Sequence, residues 1–280
     1  MTEALVLAGG GVSGIAWMTG LLAGLADAGQ DVTGVDVIVG TSAGSTVGAQ
    51  LGSGLGLEGL YARQVVPELQ AAEIMVDVDL ESFAAEIAAV LQHATTVPEM
   101  RSAVGRFALD AATVPEAARR AVIESRLPSY EWPARALKIV AVDAESGQPQ
   151  VFDNASGVSL VDAVTASCAV PGVWPPATID GRRYVDGGVR SSANADYAAG
   201  ASRVLAIVPL GNVELFPSDK TLAQAVDELR ASGAEVAIVE PDEASLAAIG
   251  ANPLDPSTRK PAAEAGRTQG RGLKIEWSRA

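Results

Sequence analysis

A chain of 280 residues that is 48% hydrophobic and 19% charged has enough apolar surface for a sizeable buried core and is not a disordered polyelectrolyte. Its formal net charge of −14 disfavours nucleic acid as a partner, and disfavours docking on an anionic membrane through overall charge. A single cysteine, Cys168, excludes an intramolecular disulfide and fits a reducing compartment.

The N-terminus, MTEALVLAGGG, lacks the basic n-region of a secretory signal, and its apolar run stops at glycine after a few residues. No apolar run reaches the roughly 18 residues of a membrane-spanning helix. A cytoplasmic location is the expectation. Residues 4–8 predict a buried strand, 15–28 a helix closed by Gly29, 35–39 a second strand, and 43–51 the start of a second helix. This βαβα start implies a parallel sheet with helices on its faces. Residues 57–127 then read as helical. Leu80, Phe83, Ile87, Val90 and Leu91 share one face, Met100, Val104, Phe107 and Ala111 another, and Ala118, Val122 and Ile123 a third. Two of these helices open on the same tetrapeptide, TVPE, at 96–99 and 113–116, and both predict a capping box. The Ala-, Val- and Ile-rich faces fit core against the sheet, or a cover over a site.

Strand signals return at 137–142 and 149–152, a helix at 159–167, and a hairpin at 177–188 with Asp180-Gly181 at its tip. A buried strand at 203–210, a helix at 221–233 and a strand at 235–241 complete a further unit. From about Pro253 the chain is polar, with one late amphipathic stretch at 272–277.

Three motifs carry chemistry. The first, Gly9-Gly10-Gly11-Val12-Ser13-Gly14, follows the first strand. As G-x-G-x-x-G it admits a dinucleotide turn, but the acid that would hold a ribose should end the second strand, and Asp36 sits at that strand's beginning. It equally admits an oxyanion hole built from the N–H groups of Gly10, Gly11 and Val12, or a plain packing turn. The second, Gly40-Thr41-Ser42-Ala43-Gly44, matches the turn that presents a nucleophilic serine between strand and helix, with the Ala43 N–H as a further oxyanion donor. Small residues that merely let a helix pack are the alternative. The third, Asp186-Gly187-Gly188, alone would be read as a tight turn. In a parallel sheet the loops after the first two strands open on one edge, and a glycine cradle beside a serine turn is an acyl-transfer arrangement. The chain has one histidine, His93, at a helix end outside the sheet framework, where it reads as an exposed residue and not as a base.

The three motifs in this order resemble the signature of the patatin-like phospholipase family, the lipid acyl hydrolases: a G-G-G-x-x-G loop, a G-x-S-x-G elbow and a D-G-G or D-G-A motif. The segment ASCAVPGVWPP at 166–176 is similar to the family's stretch ahead of the aspartate, and the resemblance spans about 4–210. It implies a single α/β domain over 1–280: a three-layer sandwich with a mainly parallel central sheet, a helical insertion at about 57–127 after the second βα unit, and a polar tail from about 253. It implies a serine hydrolase in lipid degradation, acting on carboxylic esters through a Ser42–Asp186 dyad, without cofactor or metal. Gly10, Gly11, Val12 and Ala43 would form the oxyanion hole, with Gly9, Gly14, Gly40, Gly44, Gly187 and Gly188 as motif glycines. The expected partners are a lipid or ester substrate and, transiently, a membrane or micelle surface. Ser13 departs from the family, which usually has Arg or Lys there, and this leaves headgroup preference open. A lipid-binding protein of weak activity remains the alternative function.

Overall fold

The computed structural model describes residues 1–76, 80–211, 213, 216–218 and 220–276. It opens with β1 (Glu3–Leu7), α1 (Gly11–Asp27), β2 (Val37–Thr41) and α2 (Ala43–Leu51). β1 and β2 are each buried at four of five positions, as strands covered on both faces must be. α1 starts at Gly11, four residues before the periodic apolar run, so the glycine loop is itself the helix N-terminus. Gly29 takes a left-handed φ of 75° just past the helix end.

Next come α3 (Leu57–Val65), α4 (Leu80–Leu91), α5 (Val97–Asp110) and α6 (Glu116–Arg126). The Leu80 side chain lies outside the described residues. Ile87 on α4 and Val104 and Ala108 on α5 pack with Val142 and Val185 of the sheet, so these faces of the insertion are core. Thr96 caps α5 in a full capping box with Glu99. The second TVPE departs from expectation: α6 begins at Glu116, and its cap position, Pro115, makes no side-chain cap. Glu116 reaches instead to the N–H and hydroxyl of Thr178, so a tertiary contact takes the carboxylate that the local motif would have used.

The rest of the sheet is β3 (Ala136–Asp143), β4 (Pro149–Phe152), the hairpin β5 (Ala177–Ile179) and β6 (Arg182–Asp186), β7 (Arg203–Ile207) and β8 (Glu235–Val239). Asp180 and Gly181, with φ of 48° and 76°, turn the hairpin as predicted. α7 (Leu160–Ser167), α8 (Leu222–Ala231), α9 (Glu243–Ile249) and α10 (Arg259–Gly272) complete the described helices. The strand order is β5-β6-β3-β2-β1-β7-β8, with β4 also on β3. The run β3-β2-β1-β7-β8 is parallel, and the pairs at the β5 end are antiparallel. Alternate residues of β1 serve opposite layers. Leu5 and Leu7 join Trp17, Leu21 and Ala263. Ala4 and Val6 join Leu222 and Val226. This is the expected three-layer α/β sandwich.

Two registers on β3 build the site. Val140 pairs with Thr41 at the end of β2, and the next residue, Ala141, pairs with Asp186 at the end of β6. Ser42 and Asp186, far apart in sequence, therefore leave the sheet side by side.

The stretch after Pro253 is polar, but much of it is helix. α10 lies along α1 through a small-residue seam: an added Cβ would come within 2.0 Å of Ala263 O at Gly20, 2.2 Å of Arg267 O at Gly24, and 2.4 Å of Leu21 O at Gly270. Periodicity missed this helix because its buried face is Ala262, Ala263, Gly266 and Gly270, with almost no hydrophobic bulk. Trp277, at the end of the predicted late amphipathic stretch, lies outside the described residues. Gly24→Ala tests the seam. At an exposed helix position it would gain about 1 kcal/mol; here the clash with backbone is expected to cost about 1–3 kcal/mol, read as a lowered urea midpoint. An unchanged or raised midpoint would refute the close contact.

Candidate functional site

Ser42 sits between β2 and α2 with φ 52° and ψ −116°, a backbone region that costs a non-glycine residue about 1–3 kcal/mol. The surroundings hold it there. Its N–H donates to Ser167 Oγ at 2.9 Å, and Ser167 Oγ donates to Val140 O at 2.6 Å. Its carbonyl accepts from Ser45 Oγ at 2.6 Å and from Cys168 Sγ at 3.2 Å. The flanking glycines are steric requirements: at Gly40 a Cβ would stand 2.7 Å from Ser45 Cα, and at Gly44 1.8 Å from Leu7 O.

Asp186 is 4% exposed. Its Oδ1 accepts the Gly188 N–H at 2.8 Å. Its Oδ2 is buried with no partner at hydrogen-bond geometry. The Ser42 hydroxyl interacts with this carboxylate, as a neighbour in reach and not as a fully formed bond. Burial raises the Asp186 pKa from 3.8 to about 6, against the opposing pull of the Gly188 N–H, the Ser42 hydroxyl and the Arg119 charge. Gly187 packs on β3, where a Cβ would lie 2.3 Å from Val140 O. Asn194, fully buried in a left-handed conformation, donates from Nδ2 to Ser191 O and reaches Gly187 O and Thr41 Oγ1, so it ties the Asp186 turn to the end of β2.

The glycine loop runs alongside. Gly9 faces Ser42: a Cβ added there would stand 3.6 Å from Ser42 Cβ. Gly11 has φ +62°, and a Cβ there would meet Pro253 O at 2.4 Å. The N–H groups of Ser13, Gly14 and Gly44 are taken by Pro253 O, Gly10 O and Ala8 O. Those of Gly10, Gly11, Val12 and Ala43 have no protein acceptor among the described residues. Of these four, Gly11, Val12 and Ala43 line the cleft that holds Ser42. Gly10 is not among the residues that line it, and a Cβ added there would stand 2.7 Å from Pro209 Cβ. Two helix N-termini thus present free donors beside one hydroxyl, and donors so placed can stabilise negative charge. Ser13 is turned away, its Oγ 3.3 Å from Pro253 O. Asp36 accepts the Glu3 N–H at the opposite end of the first strands, so it does not serve the glycine loop.

The far side of the cleft comes from the helical insertion and from the segment after α7. Glu73, Arg119, Arg126 and Trp174 line it with Cys168 and Leu254. Glu73 is clamped by Arg126 and Arg259, each at 2.6 Å. The Arg119 guanidinium lies 3.9 Å over the Trp174 ring. Burial pushes the Cys168 thiol up, which makes it a weak donor and not a nucleophile. His93 is exposed in the turn after α4 and does not line the cleft. Asn194 and Arg119 had no sequence signal of their own, and Ser167 and Trp174 lay in the 166–176 stretch without an individual role. A serine and an asparagine among small residues are common, and the partners that give these four meaning come from other elements.

The family model described as patatin-like phospholipase matches residues 5–199. Among solved structures, the chain is similar to VipD from Legionella pneumophila at 12% identity and a TM-score of 0.47, with 96% of this chain and 66% of that one covered. It is similar to the type III effector ExoU at 17% identity and a TM-score of 0.38, with 99% of this chain and 55% of that one covered. A further ExoU structure, in complex with SpcU from the type III secretion system of Pseudomonas aeruginosa, gives 16% identity, a TM-score of 0.38 and coverage of 99% and 54%. This chain therefore spans between about half and two thirds of the length of these proteins. No curated protein matches the sequence.

Proposed function

The chain belongs to the patatin-like phospholipase family, and from that premise we propose that it is a serine-dependent lipid acyl hydrolase working through a Ser42–Asp186 dyad. The whole chain, 1–280, is read as one hydrolase domain, since one sheet carries every described strand. The observation that carries the reading is the convergence at one point: a strained Ser42, the open Oδ2 of Asp186, and free N–H groups of Gly11, Val12 and Ala43.

In this mechanism Asp186 takes the Ser42 proton as Oγ attacks the ester carbonyl. Negative charge grows on the carbonyl oxygen where the helix N-termini offer donors, and the donors need no reorganisation because nothing in the protein occupies them. The tetrahedral species collapses, the alcohol leaves with the proton, and an acyl-serine remains. Water, activated by Asp186, then releases the fatty acid. A carboxylate with a pKa of about 6 is a better base than a free one, and it stays ionised at neutral pH. No helix among the described residues is long and apolar enough to cross a membrane.

A fluorophosphonate probe and a p-nitrophenyl ester test the dyad together. The wild-type chain should be labelled at Ser42 and should turn over the ester. Ser42→Ala should lose both, with a rate loss of about 10³-fold or more. His93→Ala should keep most of the activity, because an exposed residue away from the cleft has no proton to move. A dead, folded His93→Ala would overturn the dyad; a chain that binds lipid but is never labelled would favour the lipid-binding alternative.

A further inference from the structure

Arg119 is a buried positive charge that makes no salt bridge to a carboxylate among the described residues; Glu73 and Asp186 act on it only at longer range. It is 3% exposed, yet its Nε and Nη1 have no hydrogen-bond partner. Among the described residues its close charge contact is with the Trp174 ring. Neither nearby carboxylate bonds to it: Glu73 bridges Arg126 and Arg259, and Asp186, whose Oδ1 holds Gly188, reaches it only as a longer-range charge. Trp174 is 3% exposed, and its Nε1–H is also unpartnered. A buried cation with no bonded counter-ion and a buried N–H with no acceptor are each costly, and stacked together they turn a set of donors toward an acceptor. Both side chains line the same cleft as Ser42.

The charge balance points the same way. The charged side chains that line this cleft among the described residues are Glu73, Arg119 and Arg126, and Arg259 closes the clamp on Glu73. In a chain of net charge −14 this is a local positive site placed beside the nucleophile. Every unpartnered polar atom of the Arg119–Trp174 pair is a donor. A ligand that complements it must be acceptor-rich and anionic, which describes a phosphate oxygen set better than a hydroxyl or an amide. Burial, and then the like charge of Arg126, lower the Arg119 pKa to about 9, which still leaves it protonated at neutral pH.

We propose that Arg119 and Trp174 form an anion subsite of the cleft, and that Arg119 selects substrates whose alcohol portion carries a phosphate close to the scissile ester. The subsite's role in selection rests on the lipid hydrolase reading; the subsite itself does not. Ser13 contributes nothing to it, being tied to Pro253, so the cation comes from the helical insertion instead of the glycine loop.

The test titrates the full chain with dodecyl phosphate, inorganic phosphate and the neutral amphiphile dodecyl maltoside. Wild type should bind dodecyl phosphate more tightly than the maltoside, and Arg119→Met should weaken the phosphate amphiphile about thirty-fold or more. Arg119→Lys, which keeps the charge and loses the fork, should fall between. Binding of inorganic phosphate with the same Arg119 dependence would make free phosphate a second occupant of the same subsite. Arg119→Met binding dodecyl phosphate within three-fold of wild type would overturn the proposal. If circular dichroism shows that Arg119→Met does not fold, Trp174→Phe decides: it keeps the ring, loses the N–H, and should weaken dodecyl phosphate about ten-fold. Unchanged affinity in that variant would overturn the proposal equally. For turnover, the ratio of kcat/KM for a lauroyl lysophosphatidate over lauroylglycerol should drop at least about thirty-fold in Arg119→Met. An unchanged ratio sinks the selection role. Should wild type hydrolyse neither ester while the binding pattern holds, the hydrolase reading fails and the subsite stands.

Discussion

Asp186→Asn is expected to abolish turnover and, in the same protein, to make the fold relatively more stable as pH rises. The two effects have one origin. Asp186 is buried with Oδ2 unpartnered, and burial lifts its pKa from 3.8 to about 6. Between those values the folded chain binds a proton that the unfolded chain has released. Stability therefore falls as pH rises through this window, and above about 6 the whole difference, about 3 kcal/mol, has been lost. Asparagine does not titrate, so it escapes that loss. The unfolding free energy of the variant relative to wild type should shift in the variant's favour by about 2–3 kcal/mol between about pH 4 and pH 8. Urea unfolding at the two pH values measures it, and the pH-independent cost of burying an amide cancels in the comparison. Activity moves oppositely. An amide accepts no proton from Ser42, so kcat/KM for a neutral p-nitrophenyl ester should drop about 10²–10⁴-fold. In wild type the same parameter should rise with pH through about 6 and level above it, because only the ionised carboxylate is a base. A variant with a tenth of wild-type activity, or a wild-type profile flat across this range, is incompatible with Asp186 as the base.

That tension between stability and chemistry also explains which parts of the candidate site the sequence could show. Ser42 was legible because its backbone angles demand small neighbours, and those neighbours write G-x-S-x-G into the chain. Gly11 was legible for the same reason, since its φ of +62° and its closeness to Pro253 exclude a side chain. Asp186 alone looked like a turn residue; only the order of three motifs gave it a role, and only the paired registers on β3 place it beside Ser42. Arg119 was not legible at all. In sequence it is one of two adjacent arginines on a polar helix, and its partner Trp174 lies on a different element. The α10 seam escaped for a related reason: helix patterns are found by bulk, and this interface is built from its absence. The repeated TVPE gives the converse lesson, since identical local signals ended differently once Thr178 competed for Glu116.

Gly44→Ala is expected to be the most damaging single methyl group in the chain. The Cβ would stand 1.8 Å from Leu7 O, 2.3 Å from Leu7 C and 2.7 Å from Leu7 Cβ. The first two are backbone atoms of β1, a central strand paired on both sides, so no rotamer change relieves them. Relief requires α2 to move off the sheet. That movement breaks the Gly44 N–H bond to Ala8 O, which sets the helix against the end of β1. It also pulls on Ser42, whose N–H is fixed by Ser167 and whose carbonyl is fixed by Ser45 and Cys168. An insertion into a packed core costs about 1–3 kcal/mol where neighbours can give, and more where they cannot. Against a typical stability of about 5–15 kcal/mol, the expectation is a variant that is largely insoluble or unfolded at 37 °C. Gly188→Ala is the matched control, because the atom nearest its added Cβ is Asp186 Oδ1 at 3.0 Å, a side-chain oxygen and not the backbone of a strand. That variant should fold, as judged by circular dichroism and a cooperative urea transition, with a disturbed Asp186 and reduced activity. A soluble, cooperative Gly44→Ala with wild-type labelling of Ser42 would show that the elbow does not depend on contact between α2 and β1.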